Sequence, residues 1–596
     1  MQAYKTAKKG RFRKTIRVGK FKNRKTMNNY QRINTRKPEG IENKRAFLIG
    51  SGIASLAAAE YLMRDGHMDG NQITIFEQDN IAGGAMDGIG NPEEGFVARG
   101  GREMEAHYEC LWDLFSEVPS IEEEGRTVLD EFKELNDSDP NYSNVRAIFN
   151  RGEKHRKTDL GLSEKNSKQL TQLLLTKEAA LGNKSVEEYF DKSYFDTDMW
   201  LYWRSMFAFE PWHSVVEMKR YMQRFIHLMP GMSTMRDLLF TKYNQYDSLI
   251  LPLKQKLESK GVKFQYGTTV MDLDIDIKDG KKTVTAIQLT VDGKEETIKT
   301  TENDFVFFTN GSMTENSTLG DMDTAPVLDR SEGAIWSLWK KIASKDAAFG
   351  KPEVFCSDID KTKWESYTIT AKGTKMRQLL EDFAERKFIP HKTATGGIIT
   401  VKDSNWLLSV TVNRQPQFKN QPEDVTVAWA YALYPDNKGD FINKKMSECS
   451  GRELLQELLY HFGIAEKDMK AYEDECIVIP AMMPYITSQF MPRVEGDRPE
   501  VIPEGSQNLA FLGQFCEIKD DCVFTVEYSV RAAIMSVYHF LNLEKQVPEI
   551  YASQYDIRAL STATKTMKSE HEGIIKRVVE GIVKKKLANT TFEDLV

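Results

Sequence analysis

The chain has 596 residues, too many for one hydrophobic core, so several domains are expected. A composition of 40% hydrophobic and 28% charged residues reads as a soluble globular protein, and no apolar run reaches the length of about eighteen residues that a transmembrane helix needs. The formal charge of −7 is unevenly spread: residues 1–37 carry 14 Lys and Arg and no acid, which leaves 67 bases against 88 acids in the rest. This basic head reads as a disordered extension, with Met27 as an alternative start, and no nucleic-acid partner is assigned to it. The six cysteines lie at no zinc or redox spacing, so free thiols in a reducing, cytoplasmic setting are expected. The nine histidines form no H-E-x-x-H or similar cluster, and no metal is assigned.

The first informative stretch is Ala46-Phe-Leu-Ile-Gly50-Ser-Gly52-Ile-Ala-Ser55, an apolar run that enters a glycine turn and leaves as a helix through Asp65. Gly50 allows the tight turn, and Gly52 lets the backbone approach a pyrophosphate at the helix N-terminus; Ser55 replaces the third glycine. A second strand, Gln72 to Glu77, ends in an acid at about the spacing expected for ribose recognition. Together these features predict a dinucleotide-binding βα unit. The glycine-rich segment Ile81–Gly90 follows, as backbone that must pass close to a flat ligand, and then Arg99-Gly-Gly-Arg-Glu103, whose spacing alone reads as a loop before a helix.

Residues 120–250 read as a helical lid with substrate-channel helices. From Trp212 to Pro230 an apolar stripe of Val215, Met218, Met222, Phe225, Ile226 and Met229 predicts a helix, along whose edge His213, Glu217, Tyr221 and Arg224 are spaced to face one pocket. Strand character returns at Val262, with turns at Asp279-Gly280 and Asp292-Gly293, and a buried strand from Asp304 ends at Thr309-Asn310-Gly311. The β-rich runs Gly397–Val401, Trp406–Val412 and Val425–Tyr431 predict a second sheet. Asn508-Leu-Ala-Phe-Leu-Gly513 is a third return to the nucleotide fold, and a late strand, turn and helix fit a flavin better than a nicotinamide.

The expected organisation is therefore α/β, a discontinuous Rossmann-like FAD-binding domain with an inserted substrate domain, a helical lid and a C-terminal helical segment. The boundaries are a basic extension at 1–37, FAD-binding parts at 38–119, 251–329 and 501–545, the lid at 120–250, the substrate domain at 330–500 and a terminal segment at 546–596. That last segment carries a basic amphipathic pattern, with Ile574, Ile575, Val578, Val579, Ile582 and Val583 on one face, which suits either docking on the protein or contact with an anionic membrane.

These strings resemble those of the bacterial oleate hydratases, also described as myosin-cross-reactive antigens. The likeness rests on Gly50-x-Gly52-x-x-Ser55, Gly83–Gly88, Arg99–Glu105, Met218–Tyr221 and Asp520–Glu527, and it covers roughly residues 28–596. The resemblance implies a homodimer that adds water to the cis double bond of oleic acid, using FAD without net redox. It implies Glu103 as the acid that activates water and Tyr221 as the proton donor. It implies FAD contacts at Gly50, Gly52, Ser55, Glu77, Gly83, Gly84, Ala85, Gly101, Val270, Thr309, Asn310, Phe524 and Thr525. The fatty carboxylate falls to Thr411, Asn413 and Gln417; at the last of these the family pattern leads one to expect histidine, and glutamine cannot become cationic. The competing reading is a redox flavoenzyme or double-bond isomerase acting on lipids.

Overall fold

The computed structural model describes residues 35–553 apart from Asp87, Arg102 and Thr158. Most of the basic head and the amphipathic pattern around residues 574–586 lie outside the described residues.

Two sheets position everything else. The first is a five-stranded parallel sheet in the order Leu509–Leu512, Asp304–Thr309, Arg45–Ile49, Ile73–Phe76, Lys263–Gln265. Its strands are short and almost wholly apolar because helices cover them: Ile53–Arg64 and Val526–Phe540 pack together on one side, with Tyr61 and Tyr538 meeting edge to face at 6.3 Å. Three distant parts of the chain thus build one nucleotide-type sheet. Beside it, a three-stranded antiparallel meander spans Thr268–Lys278, Lys281–Val291 and Lys294–Lys299. Its Asp279-Gly280 and Asp292-Gly293 turns have positive φ at both residues, the backbone twist that Asp-Gly hairpins favour.

The second sheet has eight strands, ordered Thr318–Leu319, Cys476–Met483, Trp364–Ala371, Thr426–Ala432, Leu408–Asn413, Thr395–Val401, Ala147–Phe149, Glu153–Lys154. Its central strands are buried along their whole length. One face, with Trp364, Trp429 and Tyr431, belongs to the large core that includes the parallel sheet, whereas the opposite face, with Tyr367, Ile369, Ala428 and Ala430, closes a separate core under Gly451–His461. Burial on both faces explains why a run such as Thr426–Ala432 carries apolar residues at consecutive positions instead of alternating them with charged ones.

The lid region departs from the helical expectation. Residues 120–250 do contain helices, but Ala147–Phe149 pairs in parallel with Thr395–Val401 and extends the second sheet. A three-residue apolar run is too short for a helix and is stabilised by an available sheet edge. Among the described residues no helix is long and apolar enough to cross a membrane.

Candidate functional site

Where the parallel strands end, the backbone opens into a cleft enclosing about 1370 Å³, mouth included. Gly50, Gly52, Glu77, Gly83, Gly84, Ala85, Val270, Thr309, Phe524 and Thr525 all line it. Gly50 has φ 87°, and the helix Ile53–Arg64 starts at Gly52 with no side-chain cap, so its first N–H groups are left for a ligand. A Cβ on Gly84 would sit 3.4 Å from the Gly52 Cα, so the two glycine segments touch as bare backbone. The Glu77 carboxylate accepts from the Ser51 N–H at 2.9 Å and hydroxyl at 2.5 Å, and from the Asp79 N–H at 3.0 Å, which fixes it at the end of its strand. An uncapped helix start, close-approach glycines and a strand-end acid are the donor set a dinucleotide requires, and the residues present fit FAD.

Two of the expected cofactor residues serve otherwise. The Ser55 hydroxyl is buried and lies 3.1 Å from that of Thr309, pinning the helix to the neighbouring strand. The Asn310 amide, fully buried, donates to the Phe515 carbonyl at 3.0 Å and holds two strand-end loops together. Neither lines the cleft. Gly101 lies away from it too, in a second cavity, where an added Cβ would meet the Trp429 ring at 3.2 Å. Two lining acids escaped the sequence reading. Asp79 is one; the other is Glu315, whose carboxyl burial pushes up to about 7 although it accepts the N–H of Ile335 at the start of the helix Ala334–Ala343.

The second cavity, of about 950 Å³, lies between the two sheets. Its lining is mainly apolar and aromatic, with Phe207, Trp364, Trp429 and Ile486, and Glu103 and Tyr221 both line it. Arg99, Phe524, Thr525 and Val526 line both spaces, so one loop is a common wall. Phe524 holds φ 67° there, a left-handed conformation that a bulky residue adopts only where surroundings enforce it. Tyr221 is 2% exposed and donates to the Val523 carbonyl at 2.5 Å. Burial pushes its phenol well above the ordinary value, so it is neutral and carries a proton at any physiological pH.

The helix that carries Tyr221 runs from Val215 to Phe225, capped by the Ser214 side chain. Of the four residues expected to share a pocket, only Tyr221 lines this cavity. Glu217 is fully buried against Arg493 at 2.8 Å and Arg498 at 3.1 Å; burial opposes its ionisation, but these arginines hold it down to about 2. Arg224 donates to the His107 carbonyl at 2.6 Å and lies 3.7 Å from Asp521. His213, which burial lowers to about 3, accepts from the Glu210 N–H at 2.9 Å. Buried charges need partners more than they need a common face, and the partners lie around the helix.

Beside the second cavity, and sharing Gly100 with it, is a polar hollow of about 410 Å³ lined by Asn413, Gln417, Arg414 and Gln245. The Gln417 Oε1 is buried with no hydrogen-bond partner among the described residues. Thr411, two residues before Asn413 on the same strand face, sits behind Gly101, with its Cγ2 3.7 Å from where a Cβ would be. Gln245 carried no sequence signal, because it lies in an irregular stretch before a short helical turn.

A family model described as the MCRA family matches residues 43–538. The chain belongs to the MCRA family. It is 44% identical over 581 residues to an oleate hydratase of Streptococcus pyogenes serotype M49 (strain NZ131), covering 96% of this chain and 98% of that one. It is 32% identical over 536 residues to a linoleate hydratase of Lactiplantibacillus plantarum, covering 83% of this chain and 93% of the relative. Among solved structures, cyclohexylamine oxidase from Brevibacterium oxydans IH-35A is similar at 11% identity and a TM-score of 0.47, covering 84% and 98%. That agreement is too loose to argue from.

Proposed function

We propose that the protein is an FAD-dependent hydratase that adds water to the cis-9 double bond of oleic acid and related unsaturated fatty acids. The observation that carries this reading is the presence of Glu103 and Tyr221 on one largely apolar cavity, sharing the Phe524–Val526 wall with a nucleotide cleft. The curated relatives named for oleate and linoleate hydration support it.

An isolated alkene is a poor base and water a poor nucleophile, so one group must protonate while another delivers oxygen. Tyr221, neutral and buried, is the acid that gives its phenolic proton to one alkene carbon. Glu103 orients a water on the other side, accepts its proton as the C–O bond forms, and opposes the positive charge that develops on carbon. The proton taken from water then restores the phenol, and no electron is gained or lost. Thr411, Asn413 and Gln417 hold the fatty carboxylate, with Gln245 and Arg414 facing the same hollow. Gly50, Gly52, Glu77, Gly83, Gly84, Ala85, Val270, Thr309, Phe524 and Thr525 hold FAD, whose flavin ring would supply a flat polar wall beside the reacting carbons.

Three further elements belong to the reading: a homodimer, a cytoplasmic location, and contact of the 546–596 segment with anionic membrane. Anaerobic incubation with oleate tests the reaction. The product should gain the mass of one water; loss of two hydrogens, or an isomer of unchanged mass, would instead mark a redox flavoenzyme or an isomerase. Truncation after Leu560 should weaken co-sedimentation with anionic liposomes, and unchanged binding would assign that segment to docking.

A further inference from the structure

Glu103 must stay ionised to accept a proton from water, yet it lines a cavity whose apolar walls favour the neutral acid. Behind another part of the cavity wall lies a buried cation. Arg146, immediately before the strand Ala147–Phe149, is 2% exposed, and among the described residues no carboxylate lies within ion-pair distance of its guanidinium. It donates to the Ile398 carbonyl at 3.0 Å and reaches the Ser205 hydroxyl at 3.4 Å, and its plane lies 5.0 Å from the Tyr202 ring centroid. Ile398 and Ser205 both line the Glu103 cavity, and so does Tyr431, whose hydroxyl donates to the Ser205 carbonyl. The Arg146 Nε is buried with no hydrogen-bond partner among the described residues. A buried arginine without a carboxylate partner is costly, because desolvation of the charge is not offset, so its retention calls for a reason.

We propose that Arg146 is a positioning residue for the reaction: a fixed positive charge behind the Ser205–Ile398–Tyr431 wall that keeps the Glu103 carboxylate ionised in the apolar cavity. The proposal rests on Glu103 having the role assigned above. Two features support it. Burial draws the Arg146 guanidinium below its ordinary value, and the groups that oppose this are Tyr431, Tyr202 and Glu103. Tyr431, pushed up by burial, is raised further by Glu103 and lowered by Arg146, which places it in the field of both. The other titratable groups lining the cavity are Arg99, Glu105, Tyr108 and Tyr221. Glu105 is engaged at 2.8 Å by His227, and the two tyrosines are kept neutral by burial. An arginine suits the post because it does not lose its proton in the working pH range.

The test uses the flavin-loaded protein and two readouts. In pH profiles of kcat with oleate, Arg146→Met and Arg146→Gln should move the acid limb upward by about one pH unit or more, with KM changed less than threefold, while Arg146→Lys should restore the limb. A packing role would lower kcat at every pH and leave the limb in place, and that result would overturn the proposal. Independently of turnover, difference infrared titration, with the Glu103 band assigned by its loss in Glu103→Gln, should show the same upward shift in the neutral variants. A band that does not move overturns the proposal even if hydration is confirmed, and a band that moves in a protein without hydratase activity sustains it while refuting the assigned reaction. Should neither neutral variant fold, wild-type Glu103 decides: titration near or below the ordinary glutamate value of about 4.3 fits a charge-stabilised carboxylate, and titration above about 6 does not.

Discussion

The glycine-lined cleft and the aromatic-walled cavity lie back to back but are made of different material. The cleft leans on backbone: close-packed glycines, an uncapped helix start and strand ends, with Glu77, Asp79, Arg99, Thr309 and Glu315 among its polar side chains. The cavity is mostly side chain: aromatic rings from the second sheet, Tyr221 from a helix of the lid region, and Glu103 from an irregular segment. A site of backbone tolerates little change of shape but wide change of surrounding sequence. A site of side chains can be retuned one residue at a time.

Substitutions on either side probe that contrast. Glu103→Gln keeps size and hydrogen bonding but removes the base, and hydration should fall by about 10²- to 10⁴-fold with flavin absorbance retained; an active variant would remove Glu103 from its role. Tyr221→Phe should lose a similar or slightly smaller factor, again with flavin bound, and near wild-type turnover would mean that another acid supplies the proton. Gly84→Val adds a side chain where the Gly52 Cα stands 3.4 Å away and where φ is 56°. Flavin affinity, followed by fluorescence, should drop by tenfold or more, and excess FAD should recover turnover; equal affinity would show that the two glycine segments can part.

Smaller effects concern charge. Glu315 ionises as pH rises through about 7, because burial raises it, and the new negative charge would join Asp79 on the lining of the cleft that would hold the anionic cofactor. Flavin affinity should therefore weaken several-fold from pH 6 to 8 in the wild type, and Glu315→Gln should flatten that slope. Gln417→His supplies a group that becomes cationic below its own pKa of about 6.5. The KM for oleate should fall a few-fold near pH 6 and little at pH 8, and an unchanged KM would place the fatty carboxylate elsewhere.

The same contrast decides what could be read from the sequence. Gly50, Gly52 and Glu77 announce themselves because their spacing is set by a local turn and two adjacent strands. The strands at Asp304 and Leu509 show as apolar runs with glycine after them, though their order in the sheet does not. Helical spacing marks Tyr221 as one of four candidates to face a pocket, but its role and Glu103 itself stand out only through resemblance, since nothing local in Arg99–Glu103 reveals that a helix from the lid region shares its cavity. Arg146, Gln245 and Tyr431 gave no signal at all: their neighbours come from distant segments, and an arginine ahead of a three-residue strand looks like surface until the sheet buries it. The misplacement of Glu217 and Arg224 has the same origin, since helical spacing shows which residues share a side but not which ion partner waits there.

The five-stranded parallel sheet has a consequence for how the protein is made. The strand Arg45–Ile49 leaves the ribosome well before its neighbour on one side, Asp304–Thr309, which follows on the order of ten seconds or more later at synthesis rates of ~5–20 residues per second. The strand Leu509–Leu512, which completes that side, emerges later still. Throughout that interval the nascent chain presents an apolar strand with an unpaired edge, a state that invites wrong pairing and chaperone attention. Nucleotide binding therefore reports that all five strands have been made: a chain that stops before Leu509 keeps the glycine fingerprint but lacks the edge strand that completes the sheet.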